Sequence, residues 1–203
     1  GCLPLAVDLA GKMLRDLGLD GADWMGIPQL LRQEMKGGVD DETTVEYRVI
    51  SASLNAIPLR DRADAKRVFE VFALVAEDTY VPLTALRIML SALTGEPELV
   101  PELQLRKWLQ LLINRSIVLG TWERPQLHDI VREYVVALHT PEELQTLQRK
   151  VVESFAAHRP TSSNPAMCGL PLWNAAEKTN DLCQRYVATE IESHIRGAFD
   201  SAS

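Results

Sequence analysis

The chain has 203 residues, 46% hydrophobic and 24% charged, a composition that excludes a disordered or fibrous protein. Its 28 acidic against 21 basic residues give a net charge of −7, which works against the broad basic field that nucleic-acid binding needs. Charge breaks every apolar run short of the roughly 18 residues of a membrane span, and Cys2, Cys168 and Cys183 form no C-x-x-C pair, so a cytoplasmic protein with reduced thiols and no membrane segment is expected.

The chain opens on Gly1 and enters a helical pattern at once, with Leu5, Leu9 and Met13 at four-residue spacing behind Pro4. That abrupt start leads us to expect a piece of a larger protein. Gly18 and Gly21 interrupt the pattern, and a short helix is expected from Pro28 to Met35, stopping at Gly37-Gly38. A third helix runs through "TTVEYRVISASLNAI", with Val45, Val49 and Ala56 on one stripe and Ile50 and Leu54 beside it. From Ala65 the pattern resumes as Val68, Phe69, Phe72 and Val75, and a further helix starts behind Pro82 with Leu83, Leu86, Met89, Leu90 and Leu93. The next segment, "LQLRKWLQLLINR", is apolar almost all round, so burial of most of its surface is expected.

The period then changes. "SIVLGT" and "QLHD" flank "WERP", two β-prone runs around a proline-containing turn, which reads as a hairpin. "IVREYVVALH" is helical again, and "TPEELQTLQRKVVESFAAH" opens with Thr140 as N-cap, Pro141 at the first helical position and Glu143 where a capping box needs it. "RPTSSNPAMCGLPLW" has the composition of a linker. The last helix, "DLCQRYVATEIESHIRGAF", carries Cys183, Val187, Ile191, Ile195 and Phe199 at four-residue spacing. Its apolar face has little left in the chain to bury against and is expected to begin a further helical domain. The fold class expected is mainly α: a small helical bundle over 1–60, a winged-helix domain with a short β-hairpin over 61–158, and a linker with the start of a C-terminal helical domain over 159–203.

Two ionisable residues, His128 and Asp129, stand at the seam between hairpin and helix. Neighbours in a strand point to opposite faces, so they cannot form a dyad. Asp129 reads as the N-cap of a helix beginning at Ile130, and His128, on spacing alone, as a boundary histidine. His139, His158 and His194 with Cys168 and Cys183 lack the close spacings of a zinc site, and no motif raises either cysteine to a nucleophile.

Taken in order, "GCLPLA", Trp24 ahead of "LLRQEM", "SASLNAIP", "KRVFEVFALVAEDTYVPLTAL", "LQLLINRSIVLG" and "QLHDIVREYV" resemble the back half of the NB-ARC module. That module belongs to the STAND signalling ATPases, which include plant resistance proteins and animal apoptosome-forming factors. "GCLPLA" is similar to the family's GLPL motif and "LHD" to its MHD motif, with Cys2 in place of a glycine and Leu127 in place of the methionine. The resemblance implies that Pro4 lays its ring against the adenine of bound ADP and that His128 contacts the β-phosphate. It also implies ADP/ATP as cofactor in the full-length parent only, with the missing P-loop domain and other domains of the parent as partners, and a homo-oligomer of that parent in defence or apoptosis-like signalling.

No G-x-x-x-x-G-K-[ST] occurs in the chain, so nothing in it cradles phosphates as a P-loop does. No catalytic residue is therefore expected here, and no enzymatic activity of this fragment. Two rivals from other classes are a plain helical adaptor and a DNA-reading winged helix. The first predicts no P-loop upstream. The second needs an exposed basic recognition helix, whereas Arg106, Lys107 and Arg115 stand among leucines.

Overall fold

Three prolines punctuate the chain: Pro58, Pro82 and Pro101 each stand in extended conformation directly before a helix. Proline fixes its own φ and keeps the preceding residue out of the helical region, so a helix starts directly behind each of the three. The computed structural model describes residues 44–96, 99–158 and 181–199, together with Val7, Gly11, Lys12 and Arg15. Pro4, Trp24, Cys2, Cys168, the expected helix over 28–35 and the expected linker lie outside the described residues.

Among them are seven α-helices and one two-stranded antiparallel sheet, a mainly helical architecture. Helix α1 (Val45–Asn55) is capped by Thr44, whose hydroxyl accepts the Tyr47 N–H. Helix α2 (Leu59–Val71) starts six residues before the Ala65 expected from the apolar pattern, because its first turn leaves Leu59 and Arg60 exposed and buries Asp61, so no apolar stripe marks it. It tightens into a 3-10 turn at Phe72–Leu74. Helix α3 (Leu83–Thr94) ends on Gly95 at φ 72°, a left-handed exit.

Helix α4 (Glu102–Asn114) buries Leu105, Trp108, Leu109 and Leu112 but leaves Leu103 78% exposed. The expectation of near-complete burial therefore fails on the face that carries Leu103, Lys107 and Gln110. The hairpin pairs β1 (Leu119–Thr121) with β2 (Arg124–Gln126) across Trp122 and Glu123. It is shorter than expected, and the "LHD" stretch is not in it: the strand ends at Gln126. Gly120 has φ 81°, and a Cβ there would meet the Arg124 carbonyl oxygen at 2.3 Å, so only glycine fits.

Helix α5 (Asp129–Ala137) follows, then α6 (Pro141–Ala157), whose Thr140–Glu143 capping box is present in both directions. Helix α7 (Leu182–Phe199) starts with Asp181 accepting the backbone N–H groups of Cys183 and Gln184. It packs along α6 and against α3, burying Cys183, Tyr186, Val187, Ile191, His194 and Ala198. Its apolar face thus finds its partners inside the chain, contrary to expectation. The stripe also departs from the four-residue rule after Ile191: His194 and Ala198 are buried, while Phe199 is 61% exposed. At 3.6 residues per turn a strict four-residue step drifts around the helix, and a step of three restores the face.

One continuous core links these elements, from Val49 and Ile50 on α1 through Phe69, Phe72, Leu86 and Leu109 to Phe155 and Val187. Helix α2 packs on α3 and α4, and α1 on α5. The Lys12 ammonium reaches the hydroxyl of Ser116, just ahead of the hairpin. No described helix is long and apolar enough to cross a membrane.

Candidate functional site

His128 and Asp129 sit where the hairpin hands the chain to α5. Leu127 before them and Ile130 after them are half-buried against the core, and Val131 is fully buried. These apolar neighbours anchor the segment and leave the two ionisable side chains exposed. The helix begins one residue earlier than expected, so His128, not Asp129, is its N-cap. The His128 backbone is extended, at φ −75° and ψ 146°, and its side chain makes no cap hydrogen bond. Its carbonyl accepts the Arg132 N–H at 2.9 Å. Asp129 occupies the first helical position, where its charge complements the helix dipole without capping.

Behind this corner, the half-buried Arg132 folds back onto the 75–77 segment. Its Nε donates to the Val75 carbonyl at 3.0 Å, and its Nη1 lies 3.3 Å from Glu77 Oε1. Phe72, Val75, Asp78, Thr79, Leu127, Asp129 and Arg132 line a cavity of about 10 Å³. That is room for a single water, far short of a nucleotide. A wider open depression of about 460 Å³ lies between Glu70, Leu93, His139, Glu142, Glu143 and Leu147. Its lining holds three carboxylates and neither arginine nor lysine, the wrong electrostatics for a phosphate.

The basic side chains of the candidate recognition helix are engaged within the fold. Arg106 pairs with Glu102 and lies 3.7 Å over the Trp122 ring. Lys107 donates to Asp61 at 2.5 Å, and Arg115, only 7% exposed, donates to the Leu111 and Ala56 carbonyls. The Lys107 hydrogen bond, with Arg60 assisting, holds the Asp61 carboxyl below the usual carboxylate range.

Sequence reasoning missed a second polar constellation. His194, 1% exposed, was weighed only as a metal ligand; its Nδ1 lies 2.7 Å from Gln148 Oε1 and its Nε2 3.1 Å from the Tyr186 hydroxyl. Gln148 Nε2 donates to the Leu74 carbonyl at 2.9 Å, which turns the amide oxygen toward His194. The imidazole therefore donates through Nδ1 and accepts the tyrosine proton at Nε2, which defines one neutral tautomer. Burial pushes the His194 pKa down to about 4 and pushes the Tyr186 phenol up. The available signal was position: Tyr186, Ile191 and His194 share the face of α7 that packs on α6. Among the described residues no group of three or more His, Cys, Asp or Glu is placed to hold a metal ion.

No protein-family model matches the chain, and no curated protein matches it.

Proposed function

We propose that the chain is a regulatory portion of a nucleotide-switched signalling ATPase. Its helical and winged-helix parts close over ADP held by a P-loop domain outside these residues. In this reading α2, α3, α4 and the hairpin form the winged helix, an order of elements that supports the assignment. The observation that carries the reading is His128: an imidazole exposed at the head of α5, fixed by buried neighbours and uncommitted to capping. An imidazole beside a phosphate favours its charged, doubly donating form.

One such bond contributes about 1.5–3 kcal/mol, whereas micromolar binding needs roughly 8 kcal/mol. His128 is therefore a latch, with the phosphate cradle supplied elsewhere, and the chain by itself neither hydrolyses ATP nor retains ADP. ADP holds the closed form, and exchange for ATP frees the winged helix to rotate and the parent to assemble. The engagement of Arg106, Lys107 and Arg115 within the fold weighs against groove reading, which leaves the helical adaptor as the rival.

The test uses the full-length parent. His128→Ala is expected to weaken ADP retention about 10- to 100-fold, the loss of one charge-assisted hydrogen bond, and to raise basal assembly. Retention equal to wild type, measured by displacement of a fluorescent ADP analogue, returns His128 to a purely structural place and leaves the adaptor.

A further inference from the structure

Two consecutive carbonyls of one short turn are gripped by different helices. Arg132 on α5 donates to Val75 O at 3.0 Å, and Gln148 on α6 donates to Leu74 O at 2.9 Å. Gln148 is in turn the residue on which α7 closes: its amide oxygen accepts a hydrogen bond from the His194 Nδ1–H, and its side chain lies against the bare backbone of Gly197. A Cβ at Gly197 would stand 3.0 Å from Gln148 Cγ, so the helix approaches this side chain as closely as a glycine allows. Next to it, Arg149 donates to the Ala198 carbonyl and faces the Phe199 ring.

We propose that the 72–75 turn couples α5 to α7, so that a change at the head of α5 alters how firmly α7 is docked. The two states are α7 seated with His194 on Gln148, and α7 lifted with those groups hydrated. A seat with Gln148, His194 and Tyr186 at its centre offers water three polar partners when it opens, unlike an all-apolar seat. The two carbonyls lie on adjacent peptide planes that meet at the Val75 Cα, and the Val75 N–H is itself held by the Phe72 carbonyl at 3.2 Å, so the turn has little slack in which to absorb a shift of the Val75 carbonyl before it reaches the plane that orients Gln148. Coupling of this kind is reciprocal, so loosening α7 weakens the α5 contact by the same factor. The inference does not rest on nucleotide binding.

Amide hydrogen exchange in the full 203-residue chain at neutral pH tests it. Arg132→Met, which touches no residue of α7 in the hydrogen bonds above, is expected to accelerate exchange in 182–199 about tenfold and to leave 102–114 unchanged. In a Gln148→Leu background, where the turn no longer reaches α7, the same substitution is expected to add nothing. No acceleration in 182–199, or equal acceleration in both backgrounds, overturns the proposal. Should Arg132→Met unfold the whole chain, seen as equal acceleration in 102–114, Arg132→Lys takes its place under the same two criteria. No nucleotide is present, so failure here leaves the His128 latch standing, and failure of the latch leaves this coupling standing.

Discussion

A histidine that is 1% exposed and hydrogen-bonded through both nitrogens has to stay neutral to keep its place. His194 carries that condition into the stability of the protein. Its folded pKa of about 4 lies below the ordinary 6.5, so the unfolded chain takes up a proton before the folded one does. The contribution is fully present above pH 6.5, declines as pH falls, and is gone below about 4. The loss is on the order of 3 kcal/mol across that window. Urea unfolding of wild type between pH 7 and pH 4.5 should show the decline, and His194→Gln should flatten it; an equal slope in both proteins refutes the assignment. Asp61 acts lower on the scale. Its depressed carboxyl stabilises above the ordinary carboxylate range, and that contribution is lost as pH falls through its folded pKa.

Single elements show which sequence signals survive folding. The Thr140–Pro141–Glu143 start of α6 was legible because a capping box is a local device, complete within four residues. The start behind Pro82 was legible because a proline sets its own φ and keeps the preceding residue out of a helix, again a local effect. The limits of the hairpin were not: the pairing of Gly120 with Pro125 depends on a left-handed glycine that no alternation of apolar residues reveals. The head of α5 was misplaced by one residue, which moved the cap from Asp129 to His128. The candidate site was thus visible as a pair of residues, while their exposure depended on Leu127 and Val131 finding the core. Gly120→Ala places a methyl group against the Arg124 carbonyl in a backbone region that disfavours it. A loss of about 1–3 kcal/mol is expected, measured as a lower urea midpoint with faster amide exchange over 119–126. An unchanged midpoint would mean that the turn has another conformation.

At the scale of the whole molecule, the last helix changes the account most. Sequence periodicity could not show that the face of α7 has partners, because those partners, Phe155 on α6 and Met89 on α3, are each legible only as core residues of their own helices. Each large apolar side chain buried at this seam contributes about 1.5–3 kcal/mol, against a total stability of about 5–15 kcal/mol for a typical domain. A chain ending at His158 is therefore expected to lose most of its stability, to bind a hydrophobic dye, and to unfold with a smaller dependence on urea. Full stability without dye binding would show α7 to be a passenger. The hairpin has a different relation to the outside. The outward carbonyl of Pro125 accepts the Val81 N–H at 3.3 Å, and proline has no N–H of its own to present. A foreign chain seeking to lengthen the sheet meets a closed border along β2 and a run of only three residues along β1, so association of folded molecules by β-addition is disfavoured by design of the backbone itself.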